Sequence, residues 1–182
     1  MAKVPFRMLL GKLMWGAKAT RLDLSQPVHD IARFQSKPGL NHWKALLHIL
    51  VYVKVTLDYG ITYRSDGTLR PIGYVNASYG HCTDTGRSTG GYVFTIAGGP
   101  VSWSSKRQSV VALSTMEAEY MAMTRAGQYA VWLYGFLNEI GLPQEMPAII
   151  YGDNMATITL TQHSVGHLRA KHINLKYHWL RE

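Results

Sequence analysis

The spacing of hydrophobic and polar positions divides the chain into segments of different secondary structure. From residue 5 to residue 57, apolar residues recur at helical spacing, which predicts that this part is largely helical. Pro27 fits an early position in a helix, and Pro38-Gly39 predicts a turn. The clearest helix is predicted from His42 to Leu57, with an apolar stripe through Ala45, Leu46, Ile49, Leu50 and Val53.

After residue 57 the pattern becomes typical of strands. Gly60 to Tyr63 predicts a short strand, and three longer strands are predicted from Ile72 to Ser78, Gly91 to Ile96 and Val101 to Ser105. Gly98-Gly99-Pro100 is expected to connect the last two strands. The three longer strands predict an antiparallel meander.

Helical spacing returns at Ser114 and continues to about Ile140, where Gly141 and Pro143 supply stop signals. The remaining predicted elements are a strand from Ala148 to Tyr151, a helix from about Asn154 to Thr161 and a basic helix from about Lys171 to Arg181. Three strands, a long helix, a strand and another helix indicate an α/β fold with a mixed sheet and flanking helices. We place the domain boundary after the helical extension, giving residues 1–57 and 58–182.

The composition favours a folded, basic protein. Of the 182 residues 47% are hydrophobic, which supplies a core and excludes global disorder. The formal net charge of +8 suits an anionic partner such as nucleic acid or a membrane surface, although a merely basic surface is an alternative. His48 and Lys54 interrupt the longest apolar region, Leu46 to Leu57, so no membrane-spanning helix is predicted.

Residues 1–19 allow two interpretations. Lys3 and Arg7 precede an apolar stretch from Met8 to Gly16, and Ala17-Lys18-Ala19 resembles a small-residue cleavage site, as in a signal peptide. Lys12, however, interrupts the apolar stretch. The alternative is a first amphipathic helix with its apolar positions at Phe6, Leu9, Leu10, Leu13 and Met14.

Cys82 is the one cysteine of the chain, so no intramolecular disulfide can form. A zinc site that combines Cys82 with His81 is disfavoured, because no second pair of ligands has matching spacing. We expect a free thiol in a loop.

Three acidic residues near helix starts have competing structural and functional interpretations. Ser114 and Glu117 fit a capping box, in which Glu117 reaches back to the amide of the cap residue. Glu119 lies on another side of the same helix, where capping does not explain it. Asp153 follows a short strand, where α/β folds often build their sites, but either Asp153 or Asn154 could cap the next helix.

Several motifs closely resemble the ribonuclease H domain of copia-type retrotransposon polyproteins, and the resemblance covers nearly the whole chain. Residues 11–14, 19–21 and 42–45 resemble the helical segment that joins the reverse transcriptase to that domain. The resemblance implies a truncated ribonuclease H-like domain. The motifs are Asn76-Ala-Ser-Tyr-Gly80, Gly86-Arg-Ser-Thr-Gly-Gly-Tyr-Val-Phe94, Val101-Ser-Trp-Ser-Ser-Lys-Arg-Gln-Ser109, Ala112-Leu-Ser-Thr-Met-Glu-Ala-Glu-Tyr120 and Tyr151-Gly-Asp-Asn154.

The resemblance assigns a catalytic role to three positions, of which one has lost its charge. The first metal-binding aspartate of the family corresponds to Asn76, the glutamate to Glu119 and the second aspartate to Asp153. The family's fourth acid lies beyond residue 182. Because a neutral amide supplies no charge to offset the dehydration of Mg²⁺, we expect a catalytically degenerate site that requires no cofactor and binds Mg²⁺ weakly, through Glu119 and Asp153, only if nuclease activity remains.

Basic residues near these motifs predict contacts with a nucleic-acid backbone. Lys106, Arg107, Arg169, Lys171 and Lys176 are the candidates, and a solvated basic face is the alternative. A metal site formed by His163, His167, His172 and His178 is disfavoured, because no acidic or cysteine partner has matching spacing.

The chain also resembles short secreted effectors of copia origin from plant-pathogenic oomycetes. This second resemblance implies secretion, entry into the plant cell, a location in the host nucleus or cytoplasm, and suppression of host cell death through unknown plant proteins. Arg7-Met-Leu-Leu10 is only a degenerate version of their Arg-x-Leu-Arg uptake motif. The alternative is an intracellular retrotransposon fragment with residual Mg²⁺-dependent binding or cleavage of RNA/DNA hybrids.

Overall fold

The computed structural model describes residues 4–162, and the chain divides into two compact units between Thr62 and Tyr63. The helix predicted from Lys171 to Arg181 lies outside the described residues, as do the basic and histidine candidates beyond residue 162. Within residues 4–162, no helix combines the length and the apolar character that crossing a bilayer would require.

The first unit is helical, as its apolar spacing predicts. Helix α1 covers Phe6–Ala19, a 3-10 turn covers Leu22–Leu24, α2 covers Ser25–Ala32 and α3 covers Leu40–Val55. The amphipathic interpretation of α1 is confirmed, because its apolar face is buried against α2 and α3. The core of this unit contains Phe6, Leu10, Leu13, Ala17, Leu24, Val28, Leu46 and Ile49.

Arg21 connects the end of α1 to the end of α3. Its guanidinium forms an ion pair with Asp23 at 2.8 Å and donates to the backbone oxygen and the hydroxyl of Thr56 at 3.0 and 2.7 Å. It also lies 5.7 Å from the ring centroids of both Tyr52 and Tyr59. The hydrogen bond from Arg21 lowers the pKa of Asp23, so the pair stays charged. One side chain thus closes the carboxyl end of two helices.

We expect Arg21→Met to lower the free energy of unfolding of the helical unit by about 1.5–3 kcal/mol, the usual value of hydrogen bonds that involve a charged group. Methionine keeps much of the side-chain volume but leaves the buried Thr56 oxygen and Asp23 without this donor. Urea unfolding followed by circular dichroism measures the difference. Arg7→Met is the matched control, because Arg7 is exposed and donates a single hydrogen bond, to Gln35; an equal loss in both variants would contradict the assignment.

The second unit contains a four-stranded mixed sheet in the order β3-β2-β1-β4. Its strands are β1 at Ile72–Ser78, β2 at Thr89–Ile96, β3 at Gly99–Arg107 and β4 at Ile149–Tyr151. The first three form the predicted antiparallel meander, and β4 pairs in parallel with β1. The prediction of an α/β fold with a mixed sheet is confirmed, and the arrangement is ribonuclease H-like.

Two predictions in the strand region are wrong in detail. Gly60 to Tyr63 forms no strand, and the segment that follows contacts the β2–β3 turn instead, through backbone hydrogen bonds from Arg64 to Ala97 and from Ala97 to Thr68. The β2–β3 turn consists of Ala97 and Gly98, both at positive φ, rather than of residues 98–100. Two-residue hairpin turns require this backbone conformation, so Gly99 is free to begin β3.

Helix α4, Thr115–Glu139, packs on one face of the sheet, and α5, Met155–Gln162, packs against α4. Phe94 is fully buried at the centre of this layer, and Gly73 leaves room for its ring, since a Cβ at Gly73 would lie 2.8 Å from it. On the other face, residues in register form a row across all four strands. The row is Tyr151, Tyr74, Val93 and Trp103.

Candidate functional site

The pairing of β1 with β4 brings Asn76 and Asp153 to the same end of the sheet. Tyr74 and Tyr151 are the last pair of this ladder, and Asn76 and Asp153 each come two residues later along the chain. Neighbouring strands lie about 4.8 Å apart, so both residues occupy the carboxyl end of the parallel pair. α/β sheets commonly bind ligands at this end of their strands.

Glu119 reaches the same end of the sheet from α4. Its Oε1 accepts a hydrogen bond of 2.8 Å from the amide of Ala77, the residue after Asn76. The amide is available because β4 ends at Tyr151, before the ladder reaches Ala77. The three residues that the sequence motifs select thus lie at one end of the sheet: Glu119 is tied to the backbone of β1, and Asp153 is close enough to Glu119 to affect its pKa.

The side chain of Asn76 lies on the face of the sheet opposite α4. Val75 and Ala77 pack toward α4, whereas Asn76 is exposed and lies on the same face as Tyr74. The Asn76 amide and the Glu119 carboxylate therefore approach the end of β1 from opposite faces. Asp153 is exposed, and it is close enough to Glu119 for its negative charge to raise the pKa of that carboxyl group.

Glu119 is 7% exposed as a residue, and the pKa of its carboxyl group is raised. Burial is the largest cause, and the negative charge of Asp153 adds to it, whereas the hydrogen bond from Ala77 lowers the pKa in part. A carboxyl group whose pKa is raised in the folded state destabilises that state when it must ionise. The charge at Glu119 is therefore maintained against an energetic cost, as is common at functional sites.

We expect Glu119→Gln to become progressively more stable, relative to the parent chain, as the pH rises from acid to neutral. Because the folded-state pKa is raised, the folded chain binds more protons than the unfolded chain over the range between the two pKa values, so its stability falls there with rising pH. Glutamine removes this cost and can still accept from Ala77. Melting temperatures across this pH range measure the effect.

Glu139→Gln is the control for this prediction, because Glu139 is an exposed carboxylate at the end of the same helix. It reports what the loss of one negative charge does without burial. A pH dependence of the same size in both variants would contradict a special environment for Glu119.

Two helix caps near the candidate site show which polar side chains have a structural role. Ser114 caps α4 by accepting from the Glu117 amide at 3.1 Å, as predicted, but Glu117 Oε2 accepts from Leu113, one residue before the predicted partner. Asn154 caps α5 by accepting from the Thr157 amide at 3.0 Å. Capping therefore does not explain Asp153.

Two residues that support the site carry no clear signal in the sequence. Gln108 is buried at the end of β3 and donates 2.8 Å to the backbone oxygen of Ala118, so it fixes the turn of α4 that carries Glu119. Gly152 lets the chain before Asp153 approach α4, since a Cβ there would lie 2.9 Å from the end of Met123. Both residues fall inside motifs, but only the packing shows what they do.

Lys106 and Arg107 lie at the same end of the sheet, on β3, two strands from Asn76. Neighbouring strands place them about 10 Å away, within reach of a ligand that extends along this end. Lys106 is exposed, whereas the Arg107 guanidinium lies 3.6 Å from the sulfur of Cys82. Arg169 and Lys171 lie outside the described residues.

Cys82 is buried and lies in the turn after β1, where Thr85 donates to its sulfur at 3.0 Å. This hydrogen bond and that from Arg107 lower the pKa of the thiol to about 7. Among residues 4–162, no three His, Cys, Asp or Glu side chains are grouped closely enough to hold a metal ion. The histidines at 163, 167, 172 and 178 lie beyond this range.

Comparison with known proteins gives three informative relatives. The chain is 42% identical over 183 residues to the Retrovirus-related Pol polyprotein from transposon TNT 1-94 of Nicotiana tabacum, a match to 100% of this chain and 14% of the polyprotein. It is 36% identical over 176 residues to the Pol polyprotein from transposon RE2 of Arabidopsis thaliana, covering 97% of this chain and 12% of the polyprotein. The chain thus spans a small part of each polyprotein.

The third relative is of similar size to the chain. Secreted RxLR effector protein 161 of Plasmopara viticola is 42% identical over 133 residues, which cover 73% of this chain and 94% of that protein. No protein-family model matches the chain. No solved structure matches it significantly.

Proposed function

Because the chain belongs to the family of copia-type retrotransposon Pol polyproteins, we propose that it is a catalytically degenerate ribonuclease H-like protein that contacts nucleic acid without cleaving it efficiently. The observation that carries the proposal is that Asn76, rather than a carboxylate, stands on β1 at the end of the sheet that also holds Asp153 and Glu119. Glu119 completes the site through Ala77. The fold is kept, while one of the three aligned charges is replaced by a neutral amide.

The donor set does not fit a two-Mg²⁺ centre. Such a centre needs several carboxylates that bridge two ions about 4 Å apart. Within the described residues, the site supplies Glu119 and Asp153, and the pKa of Glu119 is raised by burial and by Asp153. A neutral amide at residue 76 adds a ligand atom but no charge. We assign these positions as remnants of a metal site and route no catalytic step through a metal ion.

Nucleic-acid binding is the activity that this end of the sheet still supports. Lys106 and Arg107 supply positive charge two strands from the remnant site, and the chain carries a net charge of +8. Contacts with phosphates need positioned charge rather than a catalytic centre. Fluorescence anisotropy with a labelled RNA/DNA hybrid tests this part: Lys106→Gln should weaken binding and reduce its salt dependence, whereas the exposed Lys54→Gln should not.

At the level of biology, we propose that the chain acts as a secreted effector that enters plant cells and suppresses host cell death through host proteins. The match to 94% of a secreted RxLR effector supports this role. Expression in leaves together with a cell-death elicitor tests it, and a fluorescent fusion distinguishes the host nucleus from the cytoplasm. If the Glu119→Gln variant still suppresses cell death, the result supports a non-enzymatic effector. If cell death is undiminished in leaves that express the parent chain, the effector role is overturned.

The second candidate is a fragment of a retrotransposon polyprotein with residual activity on RNA/DNA hybrids. It is favoured by the match of 97–100% of this chain to parts of two transposon polyproteins. Mg²⁺-dependent cleavage of a hybrid by the purified chain, abolished by Glu119→Gln, would support it. Absence of cleavage in both the parent chain and Asn76→Asp would exclude it.

A further inference from the structure

The outward face of α3 is apolar and exposed. Leu46 and Ile49 are buried in the core of the helical unit, whereas Leu47, Val51 and Val55 are 37%, 56% and 73% exposed. The last three follow one another at intervals of four, so they form one continuous row along the helix, which we call the α3 ridge. Contiguous exposed apolar surfaces often mark sites that bind a partner.

Lysines border the α3 ridge. Lys44 precedes Leu47 by three residues and Lys54 follows Val51 by three, which is the spacing of neighbours on a helix surface. Both lysines are exposed. Residues 31–57, which include all of α3, contain no acidic residue. The exposed surface of α3 is therefore apolar and cationic, and no acid of this segment balances its charge.

The whole helical unit carries the same excess of positive charge. Residues 1–62 contain nine Lys and Arg residues against three acids, Asp23, Asp30 and Asp58. Asp23 is paired with Arg21, and Asp58 comes after the end of α3. Most of the chain's net charge of +8 therefore belongs to this unit.

We propose that the α3 ridge binds the surface of an anionic lipid bilayer, with its three apolar side chains inserted among the headgroups and its lysines paired with the anionic groups of the lipids. Helices that lie on membranes combine these two features: an apolar face enters the interface by about 5–10 Å, and basic residues attract anionic lipids. The long side chains of Lys44 and Lys54 let their charged ends stay at headgroup level while the ridge inserts. This inference is independent of the proposed nucleic-acid binding and effector roles.

The apolar part of this surface favours a bilayer over nucleic acid. Phosphates of a nucleic acid would pair with Lys44 and Lys54, but leucine and valine side chains offer no flat ring on which a base can stack. A bilayer satisfies both parts, because the ridge leaves water while the lysines meet negative charge. Lying flat, α3 would extend about 24 Å along the membrane at 1.5 Å per residue.

Co-sedimentation of the full chain with lipid vesicles tests the proposal. We expect binding to vesicles of equal parts phosphatidylcholine and phosphatidylserine, little binding to phosphatidylcholine alone, and release by added salt, which screens the lysines. Val51→Glu should weaken binding to the anionic vesicles at least about tenfold, because a negative charge replaces an inserted apolar side chain. Val131→Glu is the control: Val131 is 55% exposed on α4, and its substitution should change binding little. No binding to the anionic vesicles, or equal weakening by both variants, overturns the proposal.

Lysine variants separate the α3 ridge from the nucleic-acid contacts. Lys44→Gln and Lys54→Gln should each weaken vesicle binding about fivefold, the attraction expected from one lysine near an anionic membrane, and should leave binding of the RNA/DNA hybrid unchanged. Lys106→Gln should do the reverse. These variants keep the ridge intact, so they decide the proposal even if Val51→Glu destabilises the helix.

Two results of the lysine experiment would overturn the proposal. Equal effects of Lys54→Gln and Lys106→Gln on vesicle binding would show a general attraction of positive charge rather than a surface on α3. Weaker binding of the hybrid by Lys54→Gln, without a change in vesicle binding, would assign this surface to nucleic acid instead.

Discussion

The Asn76→Asp variant is expected to bind Mg²⁺ about 10-fold to 100-fold more tightly than the parent chain, the range typical of changes around a metal site. The new carboxylate would lie at the same end of the sheet as Asp153, where it supplies charge that offsets the dehydration of the ion. Isothermal titration calorimetry with magnesium chloride measures the affinity. Cleavage of an RNA/DNA hybrid, measured in parallel, shows whether tighter binding also brings activity.

Asn154→Asp is the matched control for this experiment. It introduces the same charge beside Asp153, at a residue whose side chain caps α5. We expect a much smaller gain in affinity, and we expect Glu119→Gln to remove most of the gain that Asn76→Asp provides. Equal gains at residues 76 and 154 would show that added charge alone is sufficient and would contradict the assignment of Asn76 to the remnant site.

The second large effect concerns the packing that supports the site. Phe94→Ala is expected to lower the free energy of unfolding of the second unit by about 3–5 kcal/mol, because it removes a fully buried ring from between the sheet and α4. The ring packs against Tyr92 and Tyr129, with centroid distances of 5.7 and 5.4 Å. The gap that the substitution would leave beside Gly73 is bordered by residues of the sheet, so neighbouring side chains cannot easily fill it.

Phe136→Ala tests whether burial, rather than the residue type, causes this loss. Phe136 is 44% exposed on α4 and stacks on Trp132. We expect a loss of about 0.5–1.5 kcal/mol from its contact with that ring. Urea unfolding followed by circular dichroism compares the two variants, and a similar loss in both would contradict the position of Phe94 in the core.

The sequence predicts the regular elements well because their signals are local. Strand β1 has the predicted ends, Ile72 and Ser78, and α4 follows its predicted cap at Ser114. The segment Gly60 to Tyr63 has a strand-like sequence but forms no strand, since a strand also needs a neighbouring strand to pair with. The β2–β3 turn shows another, because the positive φ of Ala97 is set by the hairpin rather than by the residue type.

The candidate site was predictable in its residues but not in its geometry. The resemblance to a family selects Asn76, Glu119 and Asp153, and the structure gathers them at one end of the sheet. Asn76 and Glu119 approach from opposite faces because successive side chains of β1 point to opposite faces of the sheet, and Val75 and Ala77 are the ones that face α4. The hydrogen bond from Gln108 to Ala118 depends on contacts between distant segments, which spacing along the chain does not report.

The shortness of β4 affects how firmly the site is held. This strand contributes three residues, Ile149–Tyr151, and its pairing with β1 brings the chain before Asp153 to the end of the sheet where Asn76 lies. Short ladders at the border of a sheet open locally at a small fraction of the free energy of global unfolding. Amide hydrogens of β4 should therefore exchange with solvent well before those of β1 and β2. Asp153 can then separate from Asn76 and Glu119 while the rest of the domain stays folded.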